Sequence, residues 1–341
     1  MQTPYLPRVA GIPVLPALPG WLAFTQGNIW HVRPNLGLDI RSGKSTVQAF
    51  KTLATLIAAT GGPLANAGLA ANQNDVALMY GENDQVAAST TDYQSATLNW
   101  SKDLTHLVGV NGGAPMSLRS RIAFASAYVG VGPLVTVSGN GCCFANLELF
   151  MGVASVNPIG CLNVTGSRNR FENCHIAGIG NAANDVAGNY SLKLSGQENY
   201  FKGCVIGLNT VSRGAGDNWE LLLSGGQNNI FEDCMFLTWA SVNTHHFVKR
   251  AANTTDRFVT FKNCSFQNFD VAGATMQKVF DVAASTGSPA GLIDLDPRCW
   301  FSGAVAWEAA GSPSGIVRAA TGVAAAASAT SGGRAVAVTG A

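Results

Sequence analysis

Asn169-Arg-Phe171-Glu-Asn-Cys174-His-Ile176, Asn199-Tyr-Phe201-Lys-Gly-Cys204-Val-Ile206, Asn229-Ile-Phe231-Glu-Asp-Cys234-Met-Phe236 and Val259-Thr-Phe261-Lys-Asn-Cys264-Ser-Phe266 are four versions of one segment. The phenylalanines and the cysteines each recur at an interval of 30 residues. A fixed period of this length marks a repeat architecture, in which each unit buries its apolar face against the next.

The pattern inside one unit gives the shape of a coil. Cys174 and Ile176 are apolar and flank His175, the alternation of a strand. Two polar residues, not one, separate Phe171 from Cys174, so the period of two breaks there and the chain turns a corner. The second corner residue is Asn173, Gly203, Asp233 or Asn263. Those types tolerate a left-handed backbone. The predicted coil is therefore strand, two-residue corner, strand and a longer return. Stacked coils lie about 4.8 Å apart. Phe171, Phe201, Phe231 and Phe261 then form one inward column, and Cys174, Cys204, Cys234 and Cys264 another. Glu172, Lys202, Glu232 and Lys262 form an outward column of alternating charge, as neighbouring strands favour.

Composition agrees with an all-β solenoid. Charged residues make up 12% of the 341 residues and the net charge is +1, against about 25% charged in an average protein. A near-neutral balance argues against a nucleic-acid partner. No apolar run is long enough to span a membrane. The first twenty residues lack the basic and apolar regions of a signal peptide, so the eight cysteines are expected as free thiols. Four of them share one inward repeat position, where Cys acts as a small apolar side chain.

The chain divides into an extended Pro-rich arm (1–27), a strand-helix cap (28–63), the solenoid (64–317) and an Ala/Gly-rich tail (318–341). Pro4, Pro7, Pro13, Pro16 and Pro19 exclude a helix or a regular ladder strand from the arm. Tyr5, Leu6, Val9, Ile12, Val14, Leu15 and Leu18 make it too apolar for a solvated linker, and they are the candidate docking residues on another subunit or particle. A short strand in 28–36 and a helix from Val47 to Ala59, stopped by Gly61-Gly62-Pro63, would cover the open end of the solenoid. Segments 76–80, 96–100, 104–110, 121–124 and 134–137 read as strands of the first coils. Phe144-Ala-Asn146-Leu147-Glu-Leu149 repeats the motif with Leu147 in the Cys place. Leu292–Leu295 and Cys299–Phe301 add a further coil.

These features resemble the right-handed parallel β-helix, the pectate-lyase-like architecture of polysaccharide lyases and of many bacteriophage tailspikes and virion proteins. The corner Asn/Asp/Gly ladder is the specific part of the match. It covers four coils clearly and eight or nine loosely. The handedness follows from the resemblance and from the general rule for parallel crossovers. The cap also resembles that of phage β-helix proteins. The resemblance implies a non-enzymatic virion structural protein, a homotrimer on the particle surface, assembled in the host cytoplasm. Its partners would be the major capsid protein or other virion proteins, with head decoration preferred. The alternative is a tailspike that binds or degrades host surface polysaccharide.

The returns 177–190, 207–219, 237–246 and 267–278 vary in length and content, and in a solenoid such variation gathers on one side. This side would carry Asp185, Arg213, Asp217, Trp219, Glu220, Trp239, His245, His246 and Asp270. Glycan cleavage needs two carboxylates in acid and base or nucleophile roles. Asp217 and Glu220 are the best pair, weighed against a plain solvated turn. Trp219 and Trp239 could stack on a sugar ring, weighed against loop packing. Adjacent His245 and His246 face opposite ways in a strand, so no metal is expected, and no cofactor. Gly43-Lys44-Ser45 lacks the first glycine of a phosphate loop at the required spacing. Lyases of this architecture hold calcium with clustered Asp beside a catalytic Arg; no such cluster stands in this sequence.

Overall fold

The computed structural model describes residues 27–58, 68–81, 91–110, 120–157, 159–251, 254, 257–270, 276–282 and 293–307, with short strands at 8–9, 12–13, 317–319 and 333–334. Three sheets, of ten, nine and seven strands, run along a right-handed parallel β-helix. Over the clear repeats, the first sheet contains Arg170–Glu172, Tyr200–Lys202, Ile230–Glu232 and Val259–Lys262. The second contains His175–Ala177, Val205–Gly207, Met235–Thr238 and Ser265–Asn268. The third contains Tyr190–Leu194, Trp219–Leu223, His246–Arg250 and Phe280–Val282.

The third sheet corrects the expected coil, because each return ends in a strand of its own. Leu192, Leu194, Leu221 and Leu223 alternate inward there and are fully buried, a period of two that the varied returns before them obscure.

The 30-residue register makes like residues neighbours. Phe171 pairs with Phe201, Phe201 with Phe231, and Phe231 with Phe261. Their ring centroids lie 4.7, 4.7 and 5.0 Å apart with nearly parallel planes. Phe144 extends the stack at 4.8 Å from Phe171. A second inward stack joins Phe236 and Phe266 at 4.7 Å. The corner residues Asn146, Asn173, Gly203, Asp233 and Asn263 all have φ between 50° and 59°, the left-handed region their types tolerate. On the outer face, Glu172, Lys202, Glu232 and Lys262 are in register, and Lys202 Nζ reaches Glu232 at 3.2 Å.

The eight cysteines are free. The thiols of Cys174, Cys204, Cys234 and Cys264 donate to the carbonyls of Phe144, Phe171, Phe201 and Phe231 in the preceding coil, at 3.5–3.6 Å. Cys299 continues the column and donates to Phe261 O at 3.4 Å. An asparagine ladder fastens the third-to-first corner. Asn199 Oδ1 accepts from Asn169 N, and Asn229 Oδ1 from Asn199 N, both at 2.9 Å. Each buried amide also donates back to a carbonyl: Asn169 to Gly139, Asn199 to Gly166 and Asn229 to Gly196. The three asparagines open three of the four repeat segments, so the signal was present at the same period as Phe and Cys.

The cap opens with Ile29–Val32, which pairs with Asp75–Met79. Its helix, Leu53–Ala58, starts six residues later than the Val47 expected, and Ala59 lies outside the described residues. Phe50 N donates to His31 O and Phe50 O accepts from Arg33 N, so Phe50 is spent on strand-like pairing with Val32. Asp39 Oδ1 then accepts from Lys51 N and Thr52 N, which sets the later start. Leu53 and Leu56 are fully buried against the first coil, whereas Val47 is 67% exposed.

The expected strands of the first coils are present, together with Thr91–Gln94, which was not expected. At the far end Val317–Ala319 pairs parallel with Ile293–Leu295, and Gly333–Arg334 antiparallel with Trp300–Ser302. Arg8–Val9 and Ile12–Pro13 pair antiparallel with each other, outside the three sheets. The docking side chains of Tyr5, Leu6, Val9, Ile12, Val14, Leu15 and Leu18 lie outside the described residues. No helix among the described residues is long and apolar enough to cross a membrane.

Candidate functional site: the second-to-third-sheet turns

The turns between the second and third sheets bring together several of the residues singled out in the sequence. Glu220 lies in the strand Trp219–Leu223, and both Glu220 and its neighbour Leu221 are fully buried. Two consecutive inward residues put the Glu220 carboxylate under the end of the second sheet. Gly207 sits above it with φ +96°, and a Cβ there would meet Glu220 Oε2 at 2.5 Å. The bare backbone of Gly207 makes room for the acid.

Glu220 is held from three coils. Arg213 Nη2 lies 3.1 Å from its Oε1, with both side chains sealed from solvent. Ser191 Oγ donates to Oε2 at 2.5 Å. His245 Nε2 stands 3.8 Å from Oε1 and 3.0 Å from Thr238 Oγ1. The other ring nitrogen, Nδ1, bonds Asn218 Oδ1 at 2.8 Å. Asn218 Nδ2 donates to Asp185 Oδ1 at 2.7 Å, and Asp185 Oδ2 accepts from the backbone of Gly214 and Ala215.

Burial dominates the electrostatics. It pushes the Glu220 carboxyl up, against the pull of Arg213 and Ser191. It lowers Arg213, against the attraction of Glu220 and Asp185. It holds His245 well below the ordinary histidine value, with Arg213 adding repulsion, so the ring is neutral. A buried charge is costly unless it is both paired and hydrogen-bonded; Arg213 supplies the pairing, while among the described residues Glu220 Oε1 and Arg213 Nε and Nη1 make no hydrogen bond. The cluster ties successive turns together, and solvent does not reach the Glu220 carboxylate.

The two candidate carboxylates divide between surface and interior. Asp217 is exposed at a left-handed turn position, φ 52°, whereas Glu220 is internal. The reading of both as a solvated turn holds for Asp217 and fails for Glu220. Arg213, seven positions upstream, is the partner the sequence did not reveal, since ion pairing across a turn leaves no periodic trace.

The aromatics are half-buried. Trp219 heads its strand between Tyr190 and His246, with Lys249 Nζ 5.8 Å from its ring. Trp239 packs edge-on to Phe269 at 5.9 Å, and Phe269 is 63% exposed. His245 and His246 face opposite ways as expected. His246 turns toward Asp281, 3.8 Å away, an acid that also binds Lys249 and Lys278. Asp270 stands apart, its N–H donating to Asn268 Oδ1. Among the described residues no group of three or more His, Cys, Asp or Glu is placed to hold a metal ion.

No family model and no curated protein matches the chain. Among solved structures, it is similar to the crystal structure of pectate lyase Pel9A, with 16% identity, a TM-score of 0.53 and coverage of 88% of this chain and 69% of that one. A pectin methylesterase mutant in complex with a hexasaccharide is similar at 14% identity and a TM-score of 0.51, over 84% of this chain and 82% of the other. ORF18 of Geobacillus virus E2 is similar at 11% identity and a TM-score of 0.36, over 74% of this chain and 52% of the other. At such identities the likeness is one of fold, and by fold the chain is a right-handed parallel β-helix that resembles pectate lyase.

Proposed function

We propose that the chain is a structural protein of a bacteriophage particle, a β-helix displayed on the virion surface with no catalytic role. The observation that carries this reading is the burial of Glu220, one of the two candidate acids, in an ion pair with Arg213. The Ser191–Glu220 and His245–Asn218 hydrogen bonds around it join successive coils. The capped N-terminal end, with Leu53 and Leu56 sealed against the first coil, suits a body that projects from an attachment. In this reading residues 1–20 are the anchor, through Tyr5, Leu6, Val9, Ile12, Val14, Leu15 and Leu18. The acceptor is the major capsid protein or another virion protein, and the position is head decoration. Deleting residues 2–20 should leave a folded β-helix with its cooperative melt intact and abolish incorporation into particles. Normal incorporation of the truncated chain would reject the anchor.

The alternative is a tailspike that binds or degrades a host surface polysaccharide. Trp239 beside the exposed Phe269 is the observation in its favour, since aromatic faces can stack on sugar rings. Incubation with capsular polysaccharide separates the two: release of shorter chains would overturn the non-enzymatic reading, and an unchanged polymer would support it.

A further inference from the structure

The two sharp corners of the coil are built differently. At the first-to-second corner every left-handed residue in the repeat region is Asn, Asp or Gly. At the third-to-first corner a second left-handed column runs Asn72, Leu104, Gly141, Arg168, Glu198, Asn228 and Phe258, with φ of 64°, 49°, 65°, 60°, 56°, 54° and 55°. It is continuous: Leu104 N donates to Asn140 O, Gly141 N to Ser167 O, Arg168 N to Gln197 O, Glu198 N to Gln227 O and Asn228 N to Arg257 O. Four members, Leu104, Arg168, Glu198 and Phe258, are types that pay a backbone cost in this conformation. The chain avoids that cost at its other corner. All four point outward, and Phe258 is 57% exposed and Leu104 37%. Turn geometry explains the conformation but not the choice of side chains, which must be kept for what they present.

Their order is self-complementary. Arg168 and Glu198 are adjacent at the centre, joined at 2.7 Å. One rung further out on either side are Gly141 and Asn228. One rung beyond those are Leu104 and Phe258. A two-fold axis between the Arg168 and Glu198 rungs would set Arg168 against Glu198 of a second copy, Gly141 against Asn228, and Leu104 against Phe258. Charge meets opposite charge and apolar meets apolar at both ends, over five rung spacings, or about 24 Å. The small residue at the intermediate rung is also accounted for, because the Leu104 side chain lies where a Cβ on Gly141 would go, 2.7 Å away. Such a patch, matching itself when reversed, is what an isologous contact requires.

We propose that this corner row is a contact surface for a second copy of the chain, running antiparallel about a two-fold axis. It rests on the solenoid alone and stands whether or not the protein belongs to a virion. The three-fold association implied by the family resemblance would not use the row in this way. Sedimentation velocity of the full chain across the micromolar range tests it. The wild type should form pairs, weakened by salt. Glu198→Arg places like charges opposite and should weaken the pair about tenfold or more, and adding Arg168→Glu should restore it. Phe258→Asn should weaken the pair without lowering the melting temperature, since Asn accepts the left-handed backbone. A monomer at all concentrations, or an oligomer indifferent to Glu198→Arg and Phe258→Asn, would overturn the proposal.

Discussion

The ring of Phe201 lies on the ring of Phe231 with centroids 4.7 Å apart and planes within 10°, while next door Lys202 Nζ meets Glu232 at 3.2 Å on the outer face. Adjacent positions in one strand thus do opposite work. Phe201→Ala should destabilise by about 3–5 kcal/mol, as for other fully buried phenylalanines. Lys202→Ala breaks a pair that is partly in water and should cost about 0–1 kcal/mol. Chemical denaturation of both variants checks this; equal losses would contradict the inward and outward assignment.

Thiol chemistry should report the interior column. Cys174, Cys204, Cys234 and Cys264 are buried and free, and burial opposes formation of the reactive thiolate. A thiol reagent should react slowly with the native protein and rapidly with all eight cysteines after unfolding without reductant. Fewer than eight thiols in the unfolded protein would mean a disulfide and would reject the ladder.

Asn199 stabilises in two directions at once. Replacing it with Ala leaves Asn169 N without its acceptor and Gly166 O without its donor, both in buried surroundings. At about 1–3 kcal/mol for each stranded group, Asn199→Ala should cost about 2–5 kcal/mol. Gln197→Ala, two residues away and exposed, should change stability by no more than about 0.5 kcal/mol. Equilibrium unfolding of the two variants gives the comparison.

The cap carries a pH dependence. Burial pushes the Asp92 carboxyl up to about 7, against the opposing pull of the Leu53 N–H that donates to it at 2.9 Å. Its neighbours are Gln94, which also lowers it, and Asp39, which raises it. An unfolded Asp titrates near 3.9, so the protonated carboxyl contributes stability in full below about pH 4, and that contribution is lost as pH rises through about 7. Asp92→Asn should therefore match the wild type near pH 4 and exceed it by about 2–4 kcal/mol near pH 8. His31, His106 and His246 are held down to about 4. They weaken both proteins as pH falls below about 6.5 and cancel in the difference. A constant gap between the melts across this range would refute the assignment.

What the sequence disclosed follows from strict periodicity. Phe171, Cys174 and Asn173 could be placed because each returns at the same interval with the same chemistry, which stacking alone requires. The third sheet escaped because its strands follow returns of unequal length, so Leu192, Leu221 and Val248 fall off the common period. The left-handed column through Arg168, Glu198, Asn228 and Phe258 kept the period and escaped for the opposite reason: its residue types share no chemistry. Glu220 looked like a surface acid because its partner Arg213 is set by a turn, and turns in this chain do not repeat. The helix starts later than its spacing predicts because Val47 and Phe50 fit a helical period that the pairing of Phe50 with Val32 overrides.

The matching of each coil to its neighbours also sets how such a chain can change length. Excising residues 199–228 would join Glu198 to Asn229 and place Phe171 on Phe231, Cys174 on Cys234 and Asn169 on Asn229, so those three columns would close like on like, while the buried Arg213–Glu220 pair would leave with the excised coil. The outer face would resist it slightly, since Glu172 would then lie on Glu232, a partly solvated like-charge contact. Removing two coils instead restores an acid beside a base. The Phe, Cys and Asn columns permit growth or loss one coil at a time, and the surface charges tilt the balance toward pairs, so relatives of this chain should differ in length by even numbers of coils more often than by odd ones wherever the Glu/Lys column is kept.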